Sequence, residues 1–327
     1  MRSEPAVPPY SLSPAEDRRS TDRTALSAVL DAAARDRHSE PSTGDVIAGA
    51  RHVQPRVEDL RNADLLAALS RDEFSLVYQP IVSATTGAIT GCEALLRWQH
   101  PSRGAVPPAS FVPLAERTGD ILPIGAWVLG TACRQAAAWP DVCRVCVNVS
   151  PVQLQEPGFT AAVAAALRAS GLPAARLELE VTEGVLMGDA AAALRSIAGL
   201  RALGVGVALD DFGAGFSSLG YLQRFAFDRI KIDRSFIRAL SEGRESRFLI
   251  RTMHDIAHHF GMAVTAEGIE TEDEARTLRE IGSAELQGFL FSRPLAGEAA
   301  ASLLREARGP RWGEAPLQNR PLRRAAP

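Results

Sequence analysis

Acidic and amide side chains recur directly after short apolar runs in the middle of this 327-residue chain. They are Glu93, Asn148, Glu180, Asp210, Asp211, Asp233, Glu267, Glu270 and Gln287. Among 36 Lys and Arg residues there is a single lysine, Lys231, and it lies inside one of these runs. Arginine is a rigid planar fork, whereas lysine is a compact point charge that can orient a water or share a crowded site. The lone lysine beside so many carboxylates therefore predicts a charged functional site.

The chemistry of such a site follows from its charge, if the side chains converge. Two carboxylates about 4 Å apart repel by roughly 4 kcal/mol at an effective dielectric near 20. Either several of the carboxylates hold protons, or cations lie among them. The donors are oxygen atoms only, which favours Mg²⁺ or Mn²⁺ over zinc. The adjacent pair Asp210 and Asp211 suits a bridge between two such ions, the usual arrangement for in-line attack on a phosphodiester.

The elements that must position these residues alternate between strands and helices. Eight strand-like runs lie at 75–81, 89–91, 145–147, 177–179, 205–209, 230–232, 263–266 and 286. Helical spacing of apolar residues marks 124–139, 160–169, 190–203, 247–260 and 272–281. This alternation predicts an α/β fold, a TIM-like (β/α)₈ barrel with its chemistry at the carboxyl ends of the strands. The interval 83–87 is too short for a helix, so the first two strands should form a hairpin with one antiparallel strand near the start.

Composition indicates where the domain begins and ends and which classes of partner it is not expected to bind. Residues 1–56 and 309–327 are rich in Pro and Arg, and we expect them to be disordered tails on either side of a barrel at 57–308. The net charge of -3 gives no case for binding duplex nucleic acid. We also expect no membrane span and no signal peptide. The four cysteines indicate a reducing compartment, and hence a cytoplasmic protein.

Two other motifs have a simpler explanation. Cys143 and Cys146 form a CxxC pair, but positions three apart in a strand face opposite sides, which argues against a shared zinc or redox site. His254 and His258 form an H-D-x-x-H pattern late in a helix that runs away from the catalytic face. We expect neither pair to bind metal.

The ordered motifs resemble the EAL-domain family of cyclic di-GMP phosphodiesterases, from about Asp59 to Leu295. The motifs are Glu93-Ala94-Leu95, Asn148-Val149-Ser150, Glu180-Val181-Thr182-Glu183, Asp210-Asp211-Phe212-Gly213, Lys231-Ile232-Asp233, Glu267-Gly268-Ile269-Glu270 and Gln287-Gly288-Phe289. Ala214 and Phe216 depart from the family pattern, which most often has Thr and Tyr there. Neither position is a ligand, so the departure concerns hydrogen bonding of the loop rather than activity.

The resemblance implies a role for each residue at the site. It implies a first metal ion held by Glu93, Asn148, Glu180 and Asp210, and a second held by Asp210, Asp211 and Glu267. Lys231 would orient the attacking water with help from Asp233, and Glu270 would support the site. Gln79, Arg97 and Gln287 would contact the substrate. Glu183 would brace the loop from Asp211 to Leu219, near which members of the family tend to form homodimers.

Three classes of function follow from these observations. The first is a metal-dependent phosphodiesterase that opens cyclic di-GMP to the linear dinucleotide. The second is a non-catalytic cyclic di-GMP receptor on the same fold, which would be expected to have lost ligands. The third is an aldolase with Lys231 as its Schiff base, which needs a lowered lysine pKa, whereas the neighbouring carboxylates would raise it.

Overall fold

A closed barrel of eight strands forms the centre of the computed structural model, which describes residues 62–140, 142–187, 189–213, 219–241 and 243–306. In chain order the strands are β1 (Phe74–Ser83), β2 (Ile89–His100), β3 (Gly104–Val106), β4 (Arg144–Val149), β5 (Leu177–Thr182), β6 (Gly206–Phe212), β7 (Arg229–Ile232), β8 (Ala263–Ala266), β9 (Glu285–Gln287) and β10 (Leu295–Ala296). The short strand β3 pairs with the last residues of β2, and β10 pairs with Val77 and Tyr78 of β1; neither belongs to the barrel wall.

Strand β1 runs against the rest of the barrel. It pairs antiparallel with both of its neighbours, β2 and β9, while every other pair around the wall is parallel. The predicted barrel, hairpin and single antiparallel strand are therefore confirmed. Residues 1–56 and 309–327, for which tails were predicted, lie outside the described residues.

Helices surround the barrel, and five of them match the five predicted intervals closely. They are α1 (Asn62–Ser70), α2 (Pro108–Thr118), α3 (Ile121–Ala137), α4 (Pro151–Gln155), α5 (Phe159–Ser170), α6 (Ala190–Ala202), α7 (Leu219–Arg224), α8 (Arg234–Arg238), α9 (Arg244–His259), α10 (Glu272–Ile281) and α11 (Gly297–Glu306). Gly171 and Gly282 end α5 and α10 in the left-handed conformation, with φ of 71° and 114°. Glycine adopts this conformation without the steric cost of a Cβ atom.

Helix α2 was not predicted, and proline is the reason. The helix begins at Pro108 and contains Pro113, and prolines are usually taken as helix breakers. At the first helical position, however, proline has its φ already set and needs no partner for a missing N–H. Phe111 and Ala115 of this helix are fully buried, so their packing offsets the cost of the internal proline.

The barrel wall separates an apolar outer layer from a polar interior. In β5 the alternation Leu177, Glu178, Leu179, Glu180 places the leucines on one face and both glutamates on the other, and all four are buried. Barrels of this class usually fill their interior with branched apolar residues. Here charged side chains occupy that space, and their arrangement determines what the site can bind.

Cys143 and Cys146 make different contacts, as strand alternation predicts, and His254 and His258 differ in burial. Cys146 donates its thiol to Glu178 Oε1 at 3.4 Å, while Cys143 donates to the carbonyl oxygen of Arg144 at 3.7 Å. His254 is buried with Nδ1 2.8 Å from the Ile250 carbonyl oxygen, whereas His258 is exposed. No helix within the described residues is both long enough and apolar enough to cross a membrane.

Candidate active site at the carboxyl ends of the barrel strands

Lys231 is the centre of the site, and only 1% of its surface is exposed. Its Nζ lies 2.7 Å from Glu180 Oε2 and 2.5 Å from Glu267 Oε1. The same nitrogen is 3.3 Å from Asp210 Oδ1 and 3.8 Å from Glu93 Oε2. Three carboxylates from β2, β5 and β6 and a fourth directly after β8 therefore surround one ammonium group.

This excess of negative charge changes the acid–base properties of the site. Burial, together with the neighbouring charges of Asp210 and Glu93, raises the pKa of Glu267 to about 8 against the opposing effect of Lys231. The pKa of Glu180 is also raised well above its usual value, chiefly by burial. Burial alone would lower the pKa of Lys231, but the surrounding carboxylates outweigh it and raise that pKa. The site thus holds one ammonium group that stays charged, among carboxylates that outnumber it.

Glu93 is held by two amides. Asn148 Nδ2 donates to its Oε1 at 2.7 Å, and Gln287 Nε2 donates to its Oε2 at 2.6 Å. Burial would raise the pKa of Glu93, but Lys231 and these two donors lower it below the usual value. Gln287 also lies 3.4 Å from Gln79 Oε1, which connects β1 to the same network. Glu93 is therefore ionised and fixed in position.

Unpaired oxygen atoms test whether these residues fit a metal ion. Among the residues that the structure describes, the buried atoms Glu180 Oε1 and Gln287 Oε1 have no hydrogen-bond partner. A buried carboxylate oxygen without a partner costs free energy, and a cation would remove that cost. With oxygen donors only, the group of Glu93, Asn148, Glu180 and Asp210 fits a hard divalent ion.

A bulge in β6 turns two consecutive carboxylates toward the mouth of the barrel. Regular alternation would point Asp210 inward and Asp211 outward, but the register with β7 shifts between Leu209 and Phe212. Asp211 has a φ of 55°, a left-handed conformation that is rare for a residue with a side chain. Burial and the neighbouring charge of Asp210 raise the pKa of Asp211 to about 6. The bulge therefore adds a carboxylate that a straight strand would have lost.

The mouth opens into a cavity of about 350 Å³. Its lining residues are Gln79, Glu93, Asp211, Asp233, Arg234, Glu267, Gly268, Glu270, Gln287, Gly288 and Phe289. Asp233 Oδ1 accepts a hydrogen bond from the Ser235 backbone at 3.0 Å, and Glu270 forms an ion pair with Arg238 at 3.3 Å. Most of the residues predicted for the site therefore share one cavity.

Phe289 and Arg234 line this cavity although sequence reasoning gave them no role. Phe289 is 39% exposed, and the guanidinium of Arg293 lies 4.4 Å from its ring centre. A large aromatic residue directly after Gln287-Gly288 is the sequence signal that could have identified it. An exposed ring beside the acidic mouth offers a flat apolar surface to a ligand.

Arg97 lies apart from the other predicted substrate contacts. Its Nη1 donates to the Leu96 carbonyl oxygen at 2.8 Å. It lines a neighbouring, mainly apolar cavity of about 390 Å³, which Asn148 and Thr182 also border. Asn148 connects the two cavities through a hydrogen bond, because it borders this one and donates to Glu93, which lines the first; Arg97 shares the second cavity with residues of α2 and α3.

Glu183 contacts the start of the loop that follows β6. Its Oε1 accepts a hydrogen bond from the backbone of Gly213 at 2.9 Å. Gly213 has a φ of 88°, and a Cβ atom there would lie 2.5 Å from Met253 Cε. Residues 214–218 lie outside the described part of the chain, so the predicted bracing is seen only at Gly213.

Comparison with known families agrees with this geometry. A family model described as EAL domain matches residues 62–294, which include the whole barrel wall and every predicted site residue. The chain belongs to the EAL domain family.

Curated relatives and solved structures extend the likeness of this EAL domain. The bifunctional diguanylate cyclase/cyclic di-GMP phosphodiesterase MucR of Pseudomonas aeruginosa is 42% identical over 239 residues, 72% of this chain and 35% of that protein. An uncharacterized protein of Sinorhizobium fredii is 43% identical over 250 residues, 76% of this chain and 30% of the relative. The chain thus spans about a third of the length of these relatives.

Among solved structures, the PaMucR phosphodiesterase in complex with c-di-GMP is 42% identical and has a TM-score of 0.69, covering 73% of this chain and 98% of that one. The EAL enzyme Bd1971, in a form with cAMP and cyclic di-GMP bound, is 32% identical with a TM-score of 0.71. The match covers 74% of this chain and 67% of the Bd1971 chain. The barrel of this EAL domain is therefore similar to barrels that hold cyclic di-GMP.

A cluster below Lys231 does not form a separate metal centre in this EAL domain. Ligand atoms of Cys146, Glu178 and Glu180 lie within 4.8 Å of one another. Glu178, however, is already paired with Arg144 at 3.3 Å and with Arg229 at 3.1 Å. The nearby guanidinium groups repel a cation, which leaves Glu180 as the member of the cluster that is available to the upper site.

Proposed function

We propose that this chain hydrolyses cyclic di-GMP to the linear dinucleotide with the help of two divalent ions, Mg²⁺ or Mn²⁺, and so lowers the level of that messenger. The observation that carries the proposal is Lys231 among four carboxylates, with the buried oxygen Glu180 Oε1 left without a partner among the described residues. The likeness to MucR and to the PaMucR complex supports cyclic di-GMP as the ligand.

The ions would be held by residues that already face the mouth. Glu93, Asn148, Glu180 and Asp210 would hold the first ion. Asp210, Asp211 and Glu267 would hold the second. Bound there, such ions polarise the phosphodiester and lower the pKa of a nearby water.

Lys231, with help from Asp233, would orient the attacking water. The water oxygen forms a bond to phosphorus and gives one proton to a basic group of the site. The bond from phosphorus to one ribose oxygen breaks, and that oxygen takes up a proton and becomes a hydroxyl group. Gln79, Gln287 and Arg97 would contact the substrate, with Arg97 reaching it from the neighbouring cavity. Glu270, which lines the same cavity, would support the site.

Two other functions fit the structure less well. A cyclic di-GMP receptor without activity would be expected to lack ligands, yet all the predicted acidic ligands are present. An aldolase needs a neutral lysine, whereas the surrounding carboxylates raise the pKa of Lys231. The complete ligand set therefore favours hydrolysis.

The test of the proposal is turnover of cyclic di-GMP by the full chain, followed by chromatography of the products. With Mg²⁺ or Mn²⁺ we expect the linear dinucleotide to accumulate. With Ca²⁺ we expect a rate at least about tenfold lower, because Ca²⁺ prefers longer bonds and looser geometry than the small, rigid Mg²⁺. Equal rates with Ca²⁺, or full activity in excess chelator, would contradict the role of the metal. Binding of the nucleotide without any turnover would identify a receptor.

We further propose a homodimer in which Glu183 couples the loop after β6 to the metal site. Glu183→Ala removes the acceptor for the Gly213 backbone, so we expect the metal concentration for half-maximal activity to rise by about three- to tenfold. Glu183→Gln keeps an acceptor oxygen at the same place and serves as the matched control. Metal titration of activity and light scattering provide the two measurements. An unchanged titration in the Ala variant, with a strictly monomeric protein, would make the loop a simple connector.

A further inference from the structure

A ring of four charged side chains fills the barrel directly below the candidate active site. The ring, here called the floor quartet, consists of Arg144, Glu178, Arg229 and Glu285. Arg144 lies 3.3 Å from Glu178, which lies 3.1 Å from Arg229. Arg229 lies 2.8 Å from Glu285, and Glu285 closes the ring with two contacts to Arg144. Positive and negative groups alternate, so the net charge of the quartet is zero.

Each member of the floor quartet shares its strand with a residue of the site above. The pairs along the strands are Glu178 with Glu180, Arg229 with Lys231, Glu285 with Gln287, and Arg144 with Asn148. The spacing is two residues in three strands and four in the last, so both members of each pair belong to the same alternating face. The floor quartet thus forms the layer of side chains directly below the candidate active site.

The two layers are in contact. Carboxylate oxygens of Glu178 and Glu180 lie within 4.8 Å of each other, and the thiol of Cys146 donates to Glu178. At such distances, and screened by little water, a net charge in the floor would act strongly on a cation held by Glu180. Because the floor quartet is neutral, the electrostatic field at the site above is set by Lys231 and its neighbouring carboxylates.

Stability alone does not explain the floor quartet. Its side chains are only 8–15% exposed, so all four groups have lost most of their water. Apolar residues of similar volume often stabilise a protein as well as, or better than, such buried ion pairs, and they are what most barrels use in this layer. Buried ion pairs are best known for fixing register and position.

We propose that the floor quartet is a positioning layer for the metal site. Its neutrality sets the affinity of the site for a divalent cation, and its ion pairs hold the strands that carry Lys231, Glu180 and Gln287 in register. The inference rests on the proposed function in one respect, namely that the site above binds a divalent cation. The quartet touches neither substrate nor metal, and acts through the residues above it.

The test changes the charge of the floor by one unit in each direction and then restores neutrality. Glu178→Gln leaves a net charge of +1, Arg229→Gln leaves -1, and the double variant is neutral. We expect Mn²⁺ to bind Glu178→Gln at least about tenfold more weakly than the wild type and Arg229→Gln at least about threefold more tightly. The double variant should return to within about threefold of the wild type. Binding of Mn²⁺ is measured by electron paramagnetic resonance on the full chain without substrate.

Asp273→Asn is the matched control, because it removes one negative charge from an ion pair with Arg276 on the exposed surface of α10. We expect no change in its Mn²⁺ affinity. If Glu178→Gln fails to fold, the comparison is made between Arg229→Gln and the double variant, which must then bind Mn²⁺ more weakly than Arg229→Gln.

The outcomes separate the inference from the proposed function. If the wild type binds Mn²⁺ and hydrolyses cyclic di-GMP but the variants do not follow the order of their charge, the positioning role is wrong and the quartet is structural only. If the wild type neither binds Mn²⁺ nor turns over cyclic di-GMP, the proposed function itself fails. Thermal unfolding, followed by circular dichroism, shows whether a loss of affinity merely reflects a loss of fold.

Discussion

Lys231→Arg is expected to lower the turnover of cyclic di-GMP by about 10²- to 10⁴-fold, the range found when a group that assists proton transfer is removed. The reason is steric and geometric rather than electrostatic, because the variant keeps the positive charge. The Nζ of Lys231 is enclosed by Glu180, Glu267 and Asp210 at 2.5–3.3 Å, with 1% of the residue exposed. A planar guanidinium is wider than this space and less strongly hydrated, so it cannot orient a water at the same point.

The measurement is kcat at saturating metal, together with the affinity for cyclic di-GMP in Ca²⁺. Affinity should change little, so that the loss appears in kcat. Lys231→Met provides a second arm, since it removes the charge and the hydrogen bonds. That variant should bind Mn²⁺ more tightly, because a competing cation has gone, and yet remain inactive. Near-normal turnover in the arginine variant would show that Lys231 is only a counter-ion.

Glu93→Gln is expected to lower kcat/KM by about a hundredfold or more, since even the residues behind metal ligands typically contribute ten- to a hundredfold. Asn148 and Gln287 both donate to Glu93, one to each carboxylate oxygen. A glutamine offers one acceptor and one NH₂ group, so one of those amides would face another donor. The substitution therefore removes a charge from the site and also disrupts the amides that hold this position.

Glu73→Gln is the matched control for this experiment. Glu73 is also partly buried and accepts a hydrogen bond, from Trp98 Nε1 at 3.0 Å, but it lines neither cavity. We expect nearly normal kinetics from the control, and we expect both variants to be folded at the assay temperature by circular dichroism. Unchanged kinetics and an unchanged metal titration in Glu93→Gln would remove Glu93 from the group of ligands.

The barrel was predictable because its signals are local. Apolar runs, helical spacing and the glycines at positions 171 and 282 are each visible within a few residues. The antiparallel β1 also followed from a local fact, the short interval at 83–87, which leaves no room for a crossover helix. The carboxylates at the strand ends were predicted to converge because parallel strands bring their carboxyl ends to one face.

The features that were not predictable depend on contacts between distant strands. The bulge that turns Asp211 into the mouth arises from the register of β6 against β7, which no pattern within β6 reveals. Likewise, the alternation in β5 places Glu178 inside the barrel, but its partners Arg144 and Arg229 come from other strands. The position of Arg97 beside a second cavity depends on the packing of α2 and α3, and α2 itself was hidden by its prolines.

The reversed direction of β1 determines where the chain enters the domain. In a barrel with parallel strands only, the first strand begins at the face opposite the active site. Here β1 is antiparallel to its neighbours, so Phe74 lies next to Trp98 near the outer end of β2, on the side of the mouth. Helix α1, which leads into β1, therefore meets the barrel at the face that holds the candidate active site. A force applied to the chain ahead of residue 62 would be transmitted through α1 to β1, the strand that carries Gln79, without having to cross the barrel.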